Sequence, residues 1–482
     1  MNAGLHRGSR ALLVSIAFTF LGGSAPAAPR EPAAPEVDNE YLNRRLDQVR
    51  RRFQLNRAIG VHVVSVETGE TIYSHNPTKK FIPASGMKLI TMAAALHYLG
   101  PNYRFETRFL VDGPVSEGVV KGNLYVKGSG DPALTAGDLE EMTATLARSG
   151  IREIEGNLVL DDSFFDDQLR GPASYDNILK KGLPIQSALS YNFNIVEVTA
   201  TPSVAGSRAN LFDGGYGYFE VLNRVTTAGQ GRPWLTVRKS GGRDRVIVSG
   251  RVIAGDEERT GGFVSPDPPR YLASALIGKL RSHGVQFHGL VEKGVAGPNL
   301  RVLYVHRSAP LIQIVDLLGK NSNNFVAEQI LKALGGQRWG PPGSFESGSK
   351  ALTEYLMGLG HSKDSFRIDD GSGLSYENNL SASILVDVLR ELYRMPEVRT
   401  EFLCSLALGG VDGTLARRFR SEEYFGRVMA KTGSLAGISS LSGFAFSETR
   451  GPLAFSVVLN GIRTQWRADQ VEDEIAKTLL IH

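Results

Sequence analysis

The sequence predicts an α/β protein in which both chain ends build one body and the middle is an insertion. Three observations carry that expectation. Residues 61–99 read as strand, turn, strand and helix, and helical and strand patterns return from Ala309 to the C-terminus. Between about residues 105 and 300 the character changes to short β-like runs separated by Gly-rich turns. Finally, 482 residues exceed one ordinary domain, so two or three are expected.

In chain order, Arg7 and Arg10 precede an apolar run, Ala11 to Leu21, and the small-x-small site Ala25-Pro26-Ala27. This pattern predicts an export signal over residues 1–27, whose apolar core of about ten residues is too short to span a bilayer. Residues 28–37, rich in Pro and Ala, predict a linker. Leu42, Leu46, Val49 and Phe53 recur at helical spacing, while Arg44, Arg45, Arg50, Arg51 and Arg52 crowd the same stretch. The basic face is read as solvated, with weak peripheral contact to an anionic membrane or cell-wall polymer as the alternative.

Val61–Val66 and Thr71–Tyr73 predict a hairpin about Thr68-Gly69, and a helix begins at Ser85 and stops at Gly100-Pro101. In the insertion, the similar runs Gly122–Val126 and Gly156–Leu160 flank a helical pattern, Ala136–Ala147, which suggests a β-α-β unit. Residues 192–253 read as strands and turns, a small β module. After a helical face broken at Gly319, helices follow from Ser322 and over Ser383–Tyr393. Val428–Thr432, Leu441–Phe446 and Leu453–Leu459 read as strands, and a last helix aligns Val471, Ile475 and Leu479. The predicted domains are 38–104 with 300–482, 105–185 with 254–299, and 186–253.

The chain carries 54 basic and 50 acidic residues, and loss of the export signal removes two arginines and no acid. Such a balance offers no electrostatic footprint for nucleic acid. The nine histidines show no metal-ligand spacing, so neither a metal nor a cofactor is expected. Cys404 is the single cysteine, which excludes an intrachain disulfide, and its apolar neighbours predict a buried small side chain.

The chemistry lies in three ordered segments: Ser85-Gly86-Met87-Lys88, Ser322-Asn323-Asn324 and Lys431-Thr432-Gly433. A serine hydroxyl is a weak nucleophile until a base takes its proton. Ser85 and Lys88, at i and i+3 of a helix, share a face. A lysine becomes a base when burial or another cation lowers its pKa, and Lys431 is a candidate for that cation. Ser322 is a candidate helix cap and, in the functional reading, passes protons between Lys88 and the leaving amine. Asn324 would bond Lys88 and a substrate amide. Lys431 and Thr432 would hold a terminal carboxylate on an edge strand, with Gly433 letting the substrate backbone approach. The N–H groups of Ser85 and Ser434 are candidate oxyanion donors. Asp131, Asp370 and Asp412 read as turn residues.

These segments, with Gly128-Ser129-Gly130-Asp131-Pro132, Asp370-Gly371-Ser372-Gly373-Leu374, Gly410-Val411-Asp412-Gly413-Thr414-Leu415 and Leu441-Ser442-Gly443-Phe444, resemble the D-alanyl-D-alanine carboxypeptidase/endopeptidases of the class C low-molecular-mass penicillin-binding proteins. β-Lactamases resemble the core but have a much shorter interval before the second motif. The resemblance implies a penicillin-recognising serine transferase core, β-lactamase/transpeptidase-like, with two inserted domains, the inner one mostly β. It implies acylation of Ser85 by a peptidoglycan stem peptide, release of the terminal D-amino acid, ester hydrolysis, cleavage of cross-bridges and covalent trapping by β-lactams. It also implies that an aspartate of the insertion meets the substrate's amino group. Asp161 matches that position best, with Asp162 as the alternative. The expected location is periplasmic. A β-lactamase or esterase on the same core, and a non-catalytic cell-wall binding protein, are the rival readings; a homodimer is left open.

Overall fold

A computed structural model describes residues 39–172, 185–240 and 245–481. The expected export signal and linker lie outside the described residues. The first strand, Ile59–Ser65, pairs with Thr71–His75 as the expected hairpin and, on its other side, with Gly451–Asn460 near the C-terminus. The two chain ends thereby share one six-stranded sheet. Its order is Ala407–Leu408, Val428–Leu435, Ile438–Ser447, Gly451–Asn460, Ile59–Ser65, Thr71–His75, and every neighbouring pair is antiparallel.

The sheet is buried on both faces, and side-chain alternation assigns each face its layer. Phe455, Val457 and Leu459 pack with Leu42 and Leu46 of the first helix, Asn39–Arg52, and with Val471, Ile475 and Leu479 of the last, Gln465–Ile481. Ala454 and Val458 face the opposite layer, which contains Ile90, Val326, Leu352 and Leu385 from the helices Met87–Leu99, Asn324–Trp339, Phe345–Gly358 and Ala382–Arg394. Met87–Leu99 is buried continuously from Met87 to Leu96, and Asn324–Trp339 from Phe325 to Gly336. Helices buried around their whole circumference belong at the centre of a layer. That placement buries Lys88 and leaves the helix start at Asn324 half-buried.

Between Leu99 and Leu311 the chain builds other sheets. Leu124–Gly128 and Leu158–Asp161 pair in parallel with the helix Ala136–Arg148 between them, the β-α-β unit read in the sequence. They sit in a five-stranded sheet of order Val291–Lys293, Leu158–Asp161, Leu124–Gly128, Glu106–Val111, Arg301–Arg307. Arg301–Arg307, counted from the sequence with the C-terminal part, pairs with Glu106–Val111 instead. Two three-stranded sheets form the inner β region, and Arg259–Val264 extends it beyond residue 253 by pairing with Ile195–Thr201. Cys404 is exposed on the short helix Arg399–Ser405, because Phe402 and Ser405 take the inward positions; the expectation of a buried cysteine is corrected. Among the described residues no helix is long and apolar enough to cross a membrane.

Candidate active site

Ser85 lies in a single 3₁₀ turn, Ala84–Gly86, that runs into the helix Met87–Leu99; the α-helix begins two residues later than the sequence suggests. Ala84 holds φ at 48°, in the left-handed region that non-glycine residues rarely occupy. Such strain persists only where the surroundings over-determine it. Here Ser440 donates to the Pro83 carbonyl at 2.7 Å, and Gly373, at φ 82°, packs so closely that a Cβ would collide with the Ala84 carbonyl.

The turn brings the motifs together. The fully buried Lys88 ammonium donates to Ser85 Oγ at 2.9 Å, to Asn324 Oδ1 at 2.7 Å and to the Ser372 carbonyl at 2.6 Å. From the sheet, the buried Lys431 donates to Ser322 Oγ at 2.9 Å and to the Thr432 carbonyl at 2.6 Å. Thr432 donates to Thr414 Oγ1 at 2.8 Å, which sets the Asp412–Thr414 turn beside the third motif. Asp412 accepts from the Leu408 N–H at 2.8 Å and pairs with Lys320.

Two local readings change. Ser322 is not the helix cap: Asn323 is, accepting from the Val326 N–H at 3.2 Å, while Ser322 adopts φ 53° and turns its hydroxyl to Lys431. Gly433 is required by the protein's own packing, because a Cβ there would meet Ser440 Oγ, the Gly86 nitrogen and the Pro83 carbonyl. It lets the strand Val428–Leu435 approach the Ser85 turn. The short strand Ala407–Leu408 pairs only with Ala430 and Met429, so the edge from Lys431 to Leu435, with Ser434 exposed on it, extends beyond that strand.

Burial draws the Lys88 pKa down to about 8, against the upward pull of Asp370 and then Glu328. Burial, then the Lys88 charge, holds Lys431 well below the ordinary lysine range. Of the burial and neighbouring cation expected from sequence to depress Lys88, desolvation is the one that acts. A neutral Lys88 amine at this distance can accept the Ser85 proton as the oxygen attacks, and Lys431, whose protonated form an incoming anion favours, can hold that anion.

Sequence reasoning missed Glu328 and gave Asp370 only a turn role. Asp370 accepts from Gly373 and Ser375 N–H groups, both at 2.7 Å, which confirms the turn, but it is also fully buried and acts on Lys88. Glu328, at i+4 from Asn324, accepts from the Gly371 and Ser372 N–H groups. A carboxylate amid Phe325, Val326 and Ile330 was the available signal.

Asp161 is not brought to this cluster as an open carboxylate. It is fully buried in its sheet, where it accepts from Ser163 at 2.6 Å and the Ala296 N–H at 2.9 Å and pairs with Lys127 at 3.3 Å. These bonds and the Lys127 charge outweigh burial and keep its pKa low. Asp162 is partly exposed and pairs with Lys293 at 3.1 Å. Among the described residues no cluster of three or more His, Cys, Asp or Glu could hold a metal.

Known proteins resemble this chain over most of its length. The D-alanyl-D-alanine carboxypeptidase of Actinomadura sp. (strain R39) is 33% identical, over 95% of this chain and 87% of that protein. The crystal structure of penicillin binding protein 4 (dacB) from Haemophilus influenzae, 26% identical, superposes with a TM-score of 0.73 over 90% of this chain and 98% of that one. The same relative complexed with a β-lactam, also 26% identical, gives 0.68 over 89% and 97%. The D-Ala-D-Ala carboxypeptidase 3 (S13) family matches residues 42–479. The chain belongs to that family, and it is a serine-type peptidase with the penicillin-recognising fold.

Proposed function

We propose that this chain is a periplasmic D-Ala-D-Ala carboxypeptidase that also cleaves peptidoglycan cross-bridges, through an ester on Ser85. The observation that carries the reading is the Lys88 ammonium held at once by Ser85, Asn324 and Ser372, with its pKa near 8. Neutral Lys88 takes the Ser85 proton. Ser85 Oγ bonds to the penultimate D-alanine carbonyl carbon, whose oxyanion is met by the Ser85 and Ser434 N–H groups. Collapse expels the terminal D-alanine nitrogen, which receives a proton through Ser322. Water, deprotonated by the same base, then hydrolyses the ester. Asn324 positions the substrate amide, and Lys431 and Thr432 receive its terminal carboxylate. A β-lactam enters as a cyclic amide whose leaving nitrogen stays tethered, and so remains as a stable ester; the β-lactam complex of the Haemophilus relative supports that class of ligand. The signal pattern over residues 1–27 supports export, and the change of character between the chain ends and the middle supports division into a catalytic core and two inserted domains.

Digestion of a D-Ala-D-Ala-ending pentapeptide and of cross-linked muropeptides, followed by mass spectrometry, tests the reading. Loss of one D-alanine and conversion of dimers to monomers are expected, both stopped by penicillin. Undiminished D-alanine release by Ser85→Ala would overturn it.

A further inference from the structure

Glu328 is a fully buried carboxylate to which the chemistry above gives no part. An ionised carboxylate loses several kcal/mol on burial unless paired and bonded, so its surroundings matter. It accepts the Gly371 N–H at 3.2 Å and the Ser372 N–H at 2.8 Å. The Ser372 carbonyl is one of the three acceptors of Lys88, at 2.6 Å. The Gly371 carbonyl accepts from Thr91 at 2.7 Å, on the Lys88 helix itself. Asp370 fastens the same loop from the other side through Gly373, Ser375 and Asn378, and Gly373 presses on the carbonyl preceding Ser85. One short loop thus touches both the nucleophile turn and its base, and Glu328 holds that loop by two backbone groups.

We infer that Glu328 is a positioning residue for acylation: it fixes the Ser372 carbonyl that aims Lys88 at Ser85, and its negative charge acts on Lys88 across the loop. The inference rests on the reading of Ser85 as nucleophile and Lys88 as base. The charges facing Lys88 are Asp370, Glu328 and, from the strand Val428–Leu435, Lys431. Those facing Glu328 are Asp370 and, on its own helix, Lys332. Burial, then Asp370, raises the Glu328 carboxyl itself to about 7, so its charge is present over the alkaline range in which Lys88 titrates; there Asp370 and then Glu328 pull the Lys88 pKa upward. Removing the Glu328 charge therefore lowers it, and Lys88 becomes a base at lower pH.

The test is the rate of acylation by a fluorescent penicillin as a function of pH. In the parent the rate rises with pH as Lys88 loses its proton. In Glu328→Gln the midpoint moves down by about one pH unit, and the high-pH plateau falls by about tenfold because Lys88 is less well held. A purely structural role would change the amount of active protein without moving the midpoint. Glu328→Asp keeps the charge with a shorter reach: its midpoint stays with the parent while its plateau drops. It serves as the test if the glutamine variant does not fold. A midpoint and plateau in Glu328→Gln that match the parent overturn the inference and leave the Ser85 reading intact, as does a parent-like plateau in Glu328→Asp. Labelling of Ser85→Ala at the parent rate overturns the Ser85 reading itself.

Discussion

Lys431 donates to Ser322 Oγ at 2.9 Å, and Lys88 donates to Ser85 Oγ at the same distance, so each catalytic-motif serine is held by a lysine from a different element. The Lys431 arm reaches from the strand Val428–Leu435, and the Lys88 arm from the helix Met87–Leu99. The two buried ammoniums repel, and each depends on burial for a depressed pKa.

Lys431→Ala removes the cation proposed to receive the terminal carboxylate. The value of kcat/KM for a peptide ending in a free D-alanine carboxylate is expected to fall by about 100-fold, the scale of a desolvated charge pair. A peptide ending in a carboxamide, which offers no anion to Lys431, is expected to lose much less. Steady-state kinetics on the two peptides checks it, and equal losses would count against the anchor role.

Ser322 occupies φ 53°, a conformation that suits glycine and strains alanine by roughly 1–2 kcal/mol. Ser322→Gly is therefore expected to be more stable than Ser322→Ala by about 1 kcal/mol in urea unfolding. Both variants lose the hydroxyl, and both are expected to lose about 100-fold or more in peptide turnover, the range of a proton-transfer group.

Asp131 is buried beside Pro132, with one carboxylate oxygen lacking a hydrogen-bond partner. Burial first, and then the nearby Asp138, raises its pKa to about 7 from 3.8 against the pull of the Ala133 N–H it accepts. The folded state thus binds this proton more tightly than the unfolded chain. Its contribution is fully present below about pH 4 and is lost as pH rises through 7. Asp131→Asn cannot ionise, so its Tm relative to the parent is expected to climb between pH 4 and pH 7, by several degrees. Parallel Tm curves for the two proteins would contradict the assignment.

Lys332 joins the helix Asn324–Trp339 to the insertion. It has no exposed surface, lies about 5 Å from the Phe165 and Phe345 rings, and donates to Asp166 at 2.6 Å and the Gln168 carbonyl at 2.9 Å. Asp166→Ala removes the carboxylate bonded to that buried ammonium and leaves only the charges of Asp167 and Glu328 near it, at a cost of about 3 kcal/mol. Lys332→Met leaves only the partly exposed Asp166, which water can solvate, so it is expected to cost less. Thermal melts of the two variants compare them directly.

The sequence carried the meeting of Ser85 and Lys88, because i and i+3 spacing across a turn into a helix sets them together whatever lies around them. It also carried the hairpin, the β-α-β unit and the return of the C-terminal strands to the first body. What it lacked was the detail that close packing between distant segments imposes. The left-handed turns at Ala84 and Ser322 carry no glycine signal, since surrounding contacts impose them. Gly433 was assigned to the substrate because the neighbours that need it, Ser440 and Pro83, are far off in sequence. Asp161 fits the resemblance by position, yet its partners Lys127 and Ala296 come from separate strands and loops and enclose it. Glu328 drew no notice in the sequence because the groups that donate to it, the Gly371 and Ser372 N–H, lie more than forty residues away.

The central claim, a covalent ester on Ser85, is tested most directly by mass spectrometry of the protein after brief exposure to penicillin. The account predicts one penicillin mass added per chain, carried by the tryptic peptide Phe81–Lys88, and absent from Ser85→Ala. An adduct on any other peptide, or rapid release of hydrolysed penicillin with no adduct at all, would contradict it.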